Sequence, residues 1–150
     1  DLHSFPTRRS SDLHIDFAKE LKGKIVLDTG NPYPQRDGAM AIEARRKGTG
    51  VSSAEFLPGV KLVRAFNAIN SDSLRTEGNH AGGRYAIPLA GNDAQALAVA
   101  QRLVEDAGFE PVVVGDLSRA REFDFGTAPY TKLQSAAALR KELGLPEPAK

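Results

Sequence analysis

Two asparagines stand where a polar side chain could hold a planar ligand. Asn31 lies in a turn after the apolar run 25–27, and Asn67 directly follows the apolar-rich segment 61–66. An asparagine amide offers both a hydrogen-bond donor and an acceptor, so it can bind a carboxamide or the edge of a ring. If the two segments are neighbouring strands, both amides line one cleft at the strand ends. The alternative is that each asparagine only caps a turn, and the spacing leaves both interpretations open.

The other candidate side chains each have a structural explanation as well. His80, in a glycine-bordered loop, could donate a proton or simply lie at the surface. Asp28 could contact a ribose or cap a turn, and Tyr33 could stack on a ring or pack. Ser52 and Ser53 are interpreted as helix capping residues, not as nucleophiles. Four basic residues could attract an anionic cofactor or be solvated at a helix end: Arg36, Arg45, Arg46 and Lys47. No catalytic residue and no metal ligand is predicted.

These residues must be positioned by alternating strands and helices. Five helices are predicted. The first ends near Gly23, the second spans 37–47 with Asp37 as its cap, and the third is short and begins at the capping box Ser52-x-x-Glu55. The last two span 93–107 and 135–143. Strands are predicted at 24–28, 61–66, 84–90 and 111–114. Such alternation predicts βαβ units and a mainly parallel sheet. The fold class is therefore α/β, with a Rossmann-like, doubly wound arrangement.

The first thirteen residues, DLHSFPTRRSSDL, resemble the translation of a common short-read sequencing adapter. The alternative is a natural basic, serine-rich tail. Segments of foreign origin are excluded from fold reasoning. We therefore expect residues 14–150 to form the C-terminal part of a dinucleotide-binding domain that lacks its first βαβ unit. Neither G-x-G-x-x-G nor G-x-x-x-x-G-K-[ST] occurs in the chain, and the isolated pairs Gly48/Gly50 and Gly82/Gly83 are typical of turns.

Three stretches carry a family resemblance: GKIVLDTGNPYPQRDG at 23–38, SSAEFLPGVKLVRAFNAI at 52–69, and IPLAGNDAQALAVAQRLVEDAGFEPVVVGDLSRARE at 87–122. From about 21 to 145 the sequence resembles the coenzyme F420-dependent NADP oxidoreductase family. That family includes NADPH-dependent F420 reductases, and its fold is similar to the cytoplasmic domain of the transmembrane ferric reductases. Gly30 departs from the small or β-branched residue expected at its position.

The resemblance implies hydride transfer between NADPH and a deazaflavin or flavin-like acceptor, coenzyme F420. It implies cofactor binding by Asn31 and Pro32 beside the nicotinamide and by Asn67 beside the second ring. Thr29 and Phe66 belong to the same two turns and are included in the site. Gly91 or Asp116 would close the cleft wall.

Two alternatives to this function stay open. One is a non-catalytic nucleotide-binding or interaction module of the same fold. The other is an NADPH-dependent reductase of a small carbonyl substrate, which would need a placed proton donor. If the first βαβ unit is missing, the strand 25–27 has one unpaired side, and we also expect this chain to bind NADPH poorly and to be unstable or to self-associate.

Composition narrows the class of protein. Of the 150 residues, 41% are hydrophobic and 26% are charged, which is typical of a globular domain. A net charge of +1 gives no reason to expect a nucleic-acid or membrane partner. The chain has no cysteine, which excludes disulfides and thiolate chemistry and fits a cytoplasmic location. Small-molecule cofactors are the predicted partners, and a homodimer through the helix face Ala136, Leu139 and Leu143 is an alternative to core packing of that face.

Overall fold

A computed structural model describes residues 17–147. The adapter-like segment 1–13 lies outside the described residues. Within them, four strands, seven α-helices and one 3₁₀ helix follow one another as α1 (Phe17–Leu21), β1 (Ile25–Asp28), α2 (Pro34–Asp37), α3 (Ala39–Lys47), α4 (Thr49–Phe56), β2 (Lys61–Arg64), α5 (Ser71–Thr76), β3 (Ala86–Gly91), α6 (Ala94–Asp106), β4 (Glu110–Gly115), η1 (Leu117–Glu122) and α7 (Ala136–Glu142). In this part of the chain no helix is long and apolar enough to cross a membrane.

The four strands form one sheet in the order β1-β2-β3-β4. β1 pairs with β2 in parallel, and β3 pairs with β4 in parallel. Each of these pairs is joined by helices, so the predicted α/β class with a mainly parallel sheet is confirmed. β2 and β3, however, run antiparallel and meet at only two residue pairs, Val63–Gly91 and Arg64–Ala90. The carboxyl ends of β1 and β2 therefore point towards one edge, and those of β3 and β4 point the other way.

The longest helix, α6, follows its sequence signals closely. Asp93 caps it by accepting a hydrogen bond from the Ala96 amide at 2.8 Å, as its sequence position predicts. Ala96, Ala100 and Val104 recur at four-residue spacing and are all buried. Gly108 then adopts a φ of +86°, which ends the helix. The main core forms where this stripe packs on the sheet: Val63, Ala65, Ile87, Leu89, Ala96, Ala100, Val104 and Phe109.

Helix α7 covers the other end of the sheet. Ala136 and Leu139 are buried together with Ala86 and Val112 of the two last strands, and Leu143 packs against them. The apolar face of α7 is therefore used inside the domain, as the core-packing interpretation of the sequence predicts. A homodimer through this face finds no support in the structure, because its central residues are already covered.

Two predicted helix caps are wrong. Helix α3 begins after Gly38, and Asp37 instead accepts hydrogen bonds from the Tyr33 amide and from the Arg36 guanidinium. Helix α4 begins at Thr49, three residues before the predicted cap Ser52, so the sequence Ser52-x-x-Glu55 lies inside the helix. The local capping signal does not determine where α4 begins, because tertiary packing positions this helix. Its Gly50 fits so closely against η1 that an added Cβ would lie 2.7 Å from the Leu117 carbonyl oxygen.

Candidate functional site

The two asparagine-bearing turns lie side by side. β1 and β2 are parallel with Asp28 beside Arg64, so both strands end at the same level of the sheet. The Asn31 side-chain amide donates a hydrogen bond to the Asn67 carbonyl oxygen at 2.9 Å. Asn31 thus ties one turn to the other instead of capping its own. The juxtaposition that the sequence suggested is present, although the roles assigned to these residues in cofactor binding remain predictions.

A buried arginine at the end of β2 fixes this arrangement. The Arg64 side chain is 1% exposed and forms ion pairs with Asp28 at 3.2 Å and with Asp124 at 2.9 Å. It also donates to the Gly30 carbonyl oxygen and, at 3.3 Å, to Asn31 Oδ1. Its planar fork of donors is suited to several acceptors at once. One side chain therefore holds the β1 turn and the segment after η1 in place.

Helix α4 joins the same network from the opposite side. The Ser53 hydroxyl donates to Asp28 Oδ2 at 2.7 Å, and the Thr49 hydroxyl donates to Asp124. Both carboxylates that face Arg64 thus have a second donor. Ser53 acts here as a tertiary contact, not as the helix cap that the sequence predicts. The arrangement satisfies the buried charges, which would otherwise destabilise the fold.

Asn67 combines burial with an unused acceptor. Its side chain is 2% exposed, and its Nδ2 group lies 3.3 Å from the Phe123 carbonyl oxygen and 3.5 Å from Asp124 Oδ1. Because both neighbours are acceptors, the amide orientation is determined, and Oδ1 must point away from them. That oxygen has no hydrogen-bond partner among the described residues. Phe66 just before it has a φ of +59°, which is rare for a bulky residue and often marks a functional site.

These residues border a cavity of about 420 Å³, which we call the amide cleft. Of the predicted site residues, Thr29, Asn31, Phe66 and Asn67 line it. Pro32 does not line it and faces a neighbouring cavity. The other residues of the amide cleft are Tyr33, Ile69, Asn70, Ser71, Leu74, Tyr130 and Thr131. The lining contains aromatic, apolar, amide and hydroxyl groups and no lysine, arginine, aspartate or glutamate.

Two tyrosines form one wall of the amide cleft. The Tyr33 and Tyr130 hydroxyl oxygens lie 2.7 Å apart. Phe125 packs edge-on against both rings, with centroid distances of 4.8 and 5.4 Å. Burial, followed by the hydrogen bond with Tyr33, raises the pKa of Tyr130 to about 12. Both phenols are therefore held in fixed positions, and Tyr130 stays protonated at neutral pH.

A second cavity of about 530 Å³ runs beside β1 and under α3 and α4. Pro32, Arg36, Ser52 and Ser53 are among its lining residues. In the described sheet β1 is an edge strand, and all four of its residues are only half-buried. Nearby, Met40 and Phe56 are each 76% exposed. This cavity is larger than the amide cleft but is mostly an open apolar face.

The four basic residues considered as anion-binding candidates form contacts at the protein surface. Arg36 pairs with Asp37 at 2.7 Å, and this contact, together with the Tyr33 amide, lowers the pKa of Asp37 to about 2. Arg46 pairs with a glutamate of its own helix, and Lys47 pairs with Glu55. Arg45 stacks on the outer face of the Phe125 ring at 4.9 Å. None of these cations lines the amide cleft, so the solvated-helix interpretation fits them better than anion attraction.

Three other sequence candidates lie away from the cleft. His80 is in an exposed loop, 3.3 Å from Glu77, which fits the surface interpretation. Gly91 and Asp116 were expected to close the cleft wall, but neither lines the amide cleft. Asp116 borders a different cavity beside α4. The reason is the antiparallel β2–β3 pairing, which directs the ends of β3 and β4 to the opposite edge. No group of three or more acidic or histidine side chains in residues 17–147 could hold a metal ion.

Three important residues were not identified from the sequence: Arg64, Asp124 and Tyr130. Arg64 did carry a signal, since a charged residue in the apolar run Leu62-Val63-Arg64-Ala65 must find a partner if the strand is buried. Asp124 and Tyr130 carried none, because they follow η1 in a segment without regular periodicity.

Comparison with known proteins gives relatives in sequence and in structure. No family model matches the sequence. Over 111 residues the chain is 31% identical to the metalloreductase STEAP3 of Rattus norvegicus, a match covering 71% of this chain and 20% of that protein. Among the similar solved structures are the hypothetical protein SMa0349 from Sinorhizobium meliloti and a proposed F420-dependent NADP reductase from Arthrobacter sp. FB24.

The first of these structures has a TM-score of 0.60 and 26% identity, with 76% of this chain and 56% of that chain covered. The second has a TM-score of 0.57 and 27% identity, with 69% and 49% covered. This chain thus spans about a fifth of the curated relative and about half of each solved chain. The fold is Rossmann-like. The predicted resemblance to the F420-dependent NADP oxidoreductase family is confirmed.

Proposed function

We propose that this chain forms the ring-binding part of an NADPH-dependent oxidoreductase that transfers hydride between NADPH and a deazaflavin or flavin-like acceptor such as coenzyme F420. The single observation that supports it best is the cleft without charged lining residues that lies between the two tied turns of Asn31 and Asn67. The names of the metalloreductase and of the proposed F420-dependent NADP reductase point to the same chemistry.

The amide cleft fits a nicotinamide or deazaflavin ring better than a phosphate. A flat, uncharged ring needs apolar or aromatic walls and a few polar groups that fix its orientation. Phe66, Ile69 and Tyr130 supply the walls, and Asn31 and Asn67 supply amides. A pyrophosphate would need cations or a glycine-rich loop before a helix, and the amide cleft has neither. The adenosine and phosphate parts of NADPH therefore have no assigned place in this proposal.

NADPH, when bound, supplies the hydride, and the protein supplies position and surroundings. Asn31 is oriented by Arg64 and Asn67, so its amide can hold a ring edge without first paying an ordering cost. The rings of Tyr33 and Tyr130, packed against Phe125, give the cleft an aromatic surface on one side. Ring-to-ring hydride transfer needs little acid–base help, which agrees with a cleft lined by neutral groups.

Weak binding can be measured by NMR with ¹⁵N-labelled chain. We expect nicotinamide mononucleotide, in its reduced form, and 5-deazariboflavin to shift the side-chain amide signals of Asn31 and Asn67. Adenosine 2′,5′-bisphosphate should leave both signals in place. The side chain of Asn79, outside the cleft, is an internal control. The proposal is wrong if the adenosine ligand shifts the two signals and the ring ligands do not.

A carbonyl reductase is the second candidate, and the structure favours it more than the sequence did. Tyr33 and Tyr130 line the cleft, so their hydroxyls are candidate proton donors. Against it stands the pKa of Tyr130, about 12, which makes this phenol a weak acid. Spectrophotometric assay of NADPH oxidation with F420, with FMN and with a small aldehyde separates the two reactions. A Tyr130→Phe change should abolish only aldehyde reduction.

A binding module without catalysis remains the third candidate. It differs from both enzymes in one measurable respect: it would bind the ring ligands without oxidising NADPH in the presence of any acceptor. We also propose a cytoplasmic location, as the composition suggested.

A further inference from the structure

The outer edge of β1 carries backbone groups that no described strand uses. Among the described residues β1 has a neighbouring strand, β2, on one side only. The Lys24 and Asp28 carbonyl oxygens accept hydrogen bonds from amides in and just after β2, at 2.9 and 3.2 Å. Residues of a parallel strand alternate between its two sides in these contacts. The N–H and C=O groups of Ile25 and Leu27 therefore point to the open edge.

The outward groups of β1 match those of a second copy of the same strand. An open strand edge is a template on which another strand can pair. When two copies of β1 pair antiparallel about a two-fold axis at Val26, Ile25 lies opposite Leu27 of the partner subunit. Leu27 then lies opposite the partner's Ile25. Each of these pairs exchanges both N–H···O=C hydrogen bonds, so every outward group of Ile25 and Leu27 is satisfied.

The same register brings opposite charges together. Side chains alternate along a strand, so Lys24, Val26 and Asp28 share one face. Across the axis Lys24 faces Asp28 of the partner subunit. Lys24 is exposed and forms no ion pair among the described residues. The Asp28 side chain is 19% exposed, and within the same part of the chain its Oδ1 accepts a hydrogen bond only from the Gly30 amide, so a lone pair is left for the lysine.

Apolar surface meets at the same place. A two-fold axis perpendicular to the sheet keeps α3 and α4 of both copies on one face of the joined sheet. On that face Val26 lines the cavity of about 530 Å³ together with Met40 and Phe56. Met40 and Phe56 are each 76% exposed in a single copy. Because the two cavities meet at the seam, association removes apolar surface from water, which adds a driving force to the strand pairing.

We propose that two copies of this chain associate through β1, in antiparallel pairing centred on Val26, and join their two four-stranded sheets into one. A second copy is the occupant of the open edge, because in this register the outward backbone groups pair and the charges at the two ends of the strand are complementary. The interface lies at β1 and not at the covered face of α7. It does not depend on the proposed function, since no ligand takes part in it.

A single introduced cysteine tests the register directly, because the chain has none of its own. Residues opposite each other in a non-hydrogen-bonded antiparallel pair have Cα atoms about 4.5 Å apart, which a disulfide can span. With oxidised glutathione, Val26→Cys should therefore form a covalent dimer about tenfold faster than Leu27→Cys, whose two sulfurs are offset along the strand. Val99→Cys, exposed on α6, measures the rate of random collisions.

Sedimentation velocity of the 150-residue chain measures association without a cross-link. The chain should shift from monomer to dimer as its concentration rises from about 5 to about 500 µM. Lys24→Glu should raise the dissociation constant about tenfold, because two attractive charge pairs become repulsive, and salt should reduce this difference. Lys22→Glu is the matched control: it makes the same charge change at an exposed lysine that the register places opposite Gly30 of the partner subunit, so the dissociation constant should not change.

Three results would overturn this dimer. The first is a chain that sediments as a monomer over the whole concentration range. The second is a dimer in which Val26→Cys cross-links no faster than Leu27→Cys or Val99→Cys, since the copies then meet through another surface or register. The third is equal association of Lys24→Glu and Lys22→Glu. None of these measurements involves NADPH or a ring ligand, so failure here leaves the proposed function to its own test.

Discussion

Replacing Arg64 by methionine is the sharpest test of how the site is built. The guanidinium is 1% exposed and is paired with Asp28 and Asp124, whose side chains are 19% and 16% exposed. Methionine fills a similar volume but leaves both carboxylates without their cation. Breaking a buried ion pair in this way destabilises proteins by about 3–5 kcal/mol. That is a large share of the roughly 5–15 kcal/mol by which domains are stable.

Urea unfolding followed by circular dichroism measures this loss. We expect Arg64→Met to lower the free energy of unfolding by about 3–5 kcal/mol and the melting temperature by about 10–20 °C. Arg64→Lys keeps the charge but loses the planar fork, so its free energy of unfolding should lie between that of the unchanged protein and that of Arg64→Met. Arg102→Met is the matched control. Arg102 is exposed on α6 and forms no ion pair among the described residues, so its loss should change stability by less than about 0.5 kcal/mol.

A double-mutant cycle shows whether the charge pair causes the loss. Asp124→Asn combined with Arg64→Met removes one of the unpaired carboxylates, so the double variant should be less destabilised than the sum of the single changes. We expect a coupling energy of about 1–3 kcal/mol. If Arg64→Met costs less than about 1 kcal/mol, or if the two changes are additive, Arg64 does not organise the site and the reasoning above is wrong.

Three further predictions follow from single contacts. Because the pKa of Tyr130 is raised from 10.0 to about 12, its contribution to stability is complete below pH 10 and is lost as the pH rises towards 12. Urea unfolding at several alkaline pH values should show this loss as a decrease of roughly 1–2 kcal/mol in the free energy of unfolding, after allowance for solvent screening. In the Tyr130→Phe variant this pH-dependent decrease should be absent. Gly50→Ala should destabilise the fold by about 1–3 kcal/mol in the same assay, since its Cβ would meet the Leu117 carbonyl oxygen at 2.7 Å, whereas Gly82→Ala faces only a movable side chain and should be neutral. Asp93→Ala should cost about 0.5–2 kcal/mol through loss of the α6 cap, and Asp93→Ser should restore most of it; equal stability of the two variants would exclude a capping role.

The sequence predicted the elements whose signals are local. Helix α6 was predicted correctly because its cap and its terminal glycine both lie within sixteen consecutive residues, 93–108. The caps at Asp37 and Ser52 were predicted wrongly, because Asp37 binds groups in the turn before α3 and because α4 begins three residues before Ser52. Ser53 in the same helix hydrogen-bonds Asp28, a residue of β1. A capping motif in the sequence does not show whether its side chains will cap the helix or bind another part of the chain.

The amide cleft could be predicted only in part. The Asn31 and Asn67 turns follow strands, and parallel pairing of these strands brings them together. The ion-pair network that holds the turns depends on Asp124, which meets Arg64 from sixty residues further along the chain. Neither periodicity nor a short motif indicates a contact at that separation. The prediction that Gly91 or Asp116 closes the cleft wall was wrong for a related reason. Whether β3 runs parallel or antiparallel to β2 is determined by the whole fold and not by a local sequence signal.

The framework behind the cleft and the lining of the cleft depend on different residues, and this difference can be measured. Arg64 contacts both walls through charges and buried donors, so its replacement should reduce stability and ring binding together. Tyr130 contributes a hydroxyl whose only described partner is Tyr33, so its replacement by phenylalanine should reduce ring binding and lower stability by only about 1–2 kcal/mol, less than Arg64→Met. Comparing the two variants in the same titration therefore separates a cleft that has collapsed from a cleft that has lost one hydrogen bond. If Tyr130→Phe lowers stability as much as Arg64→Met, the tyrosine pair is part of the framework and not a means of recognising a ligand.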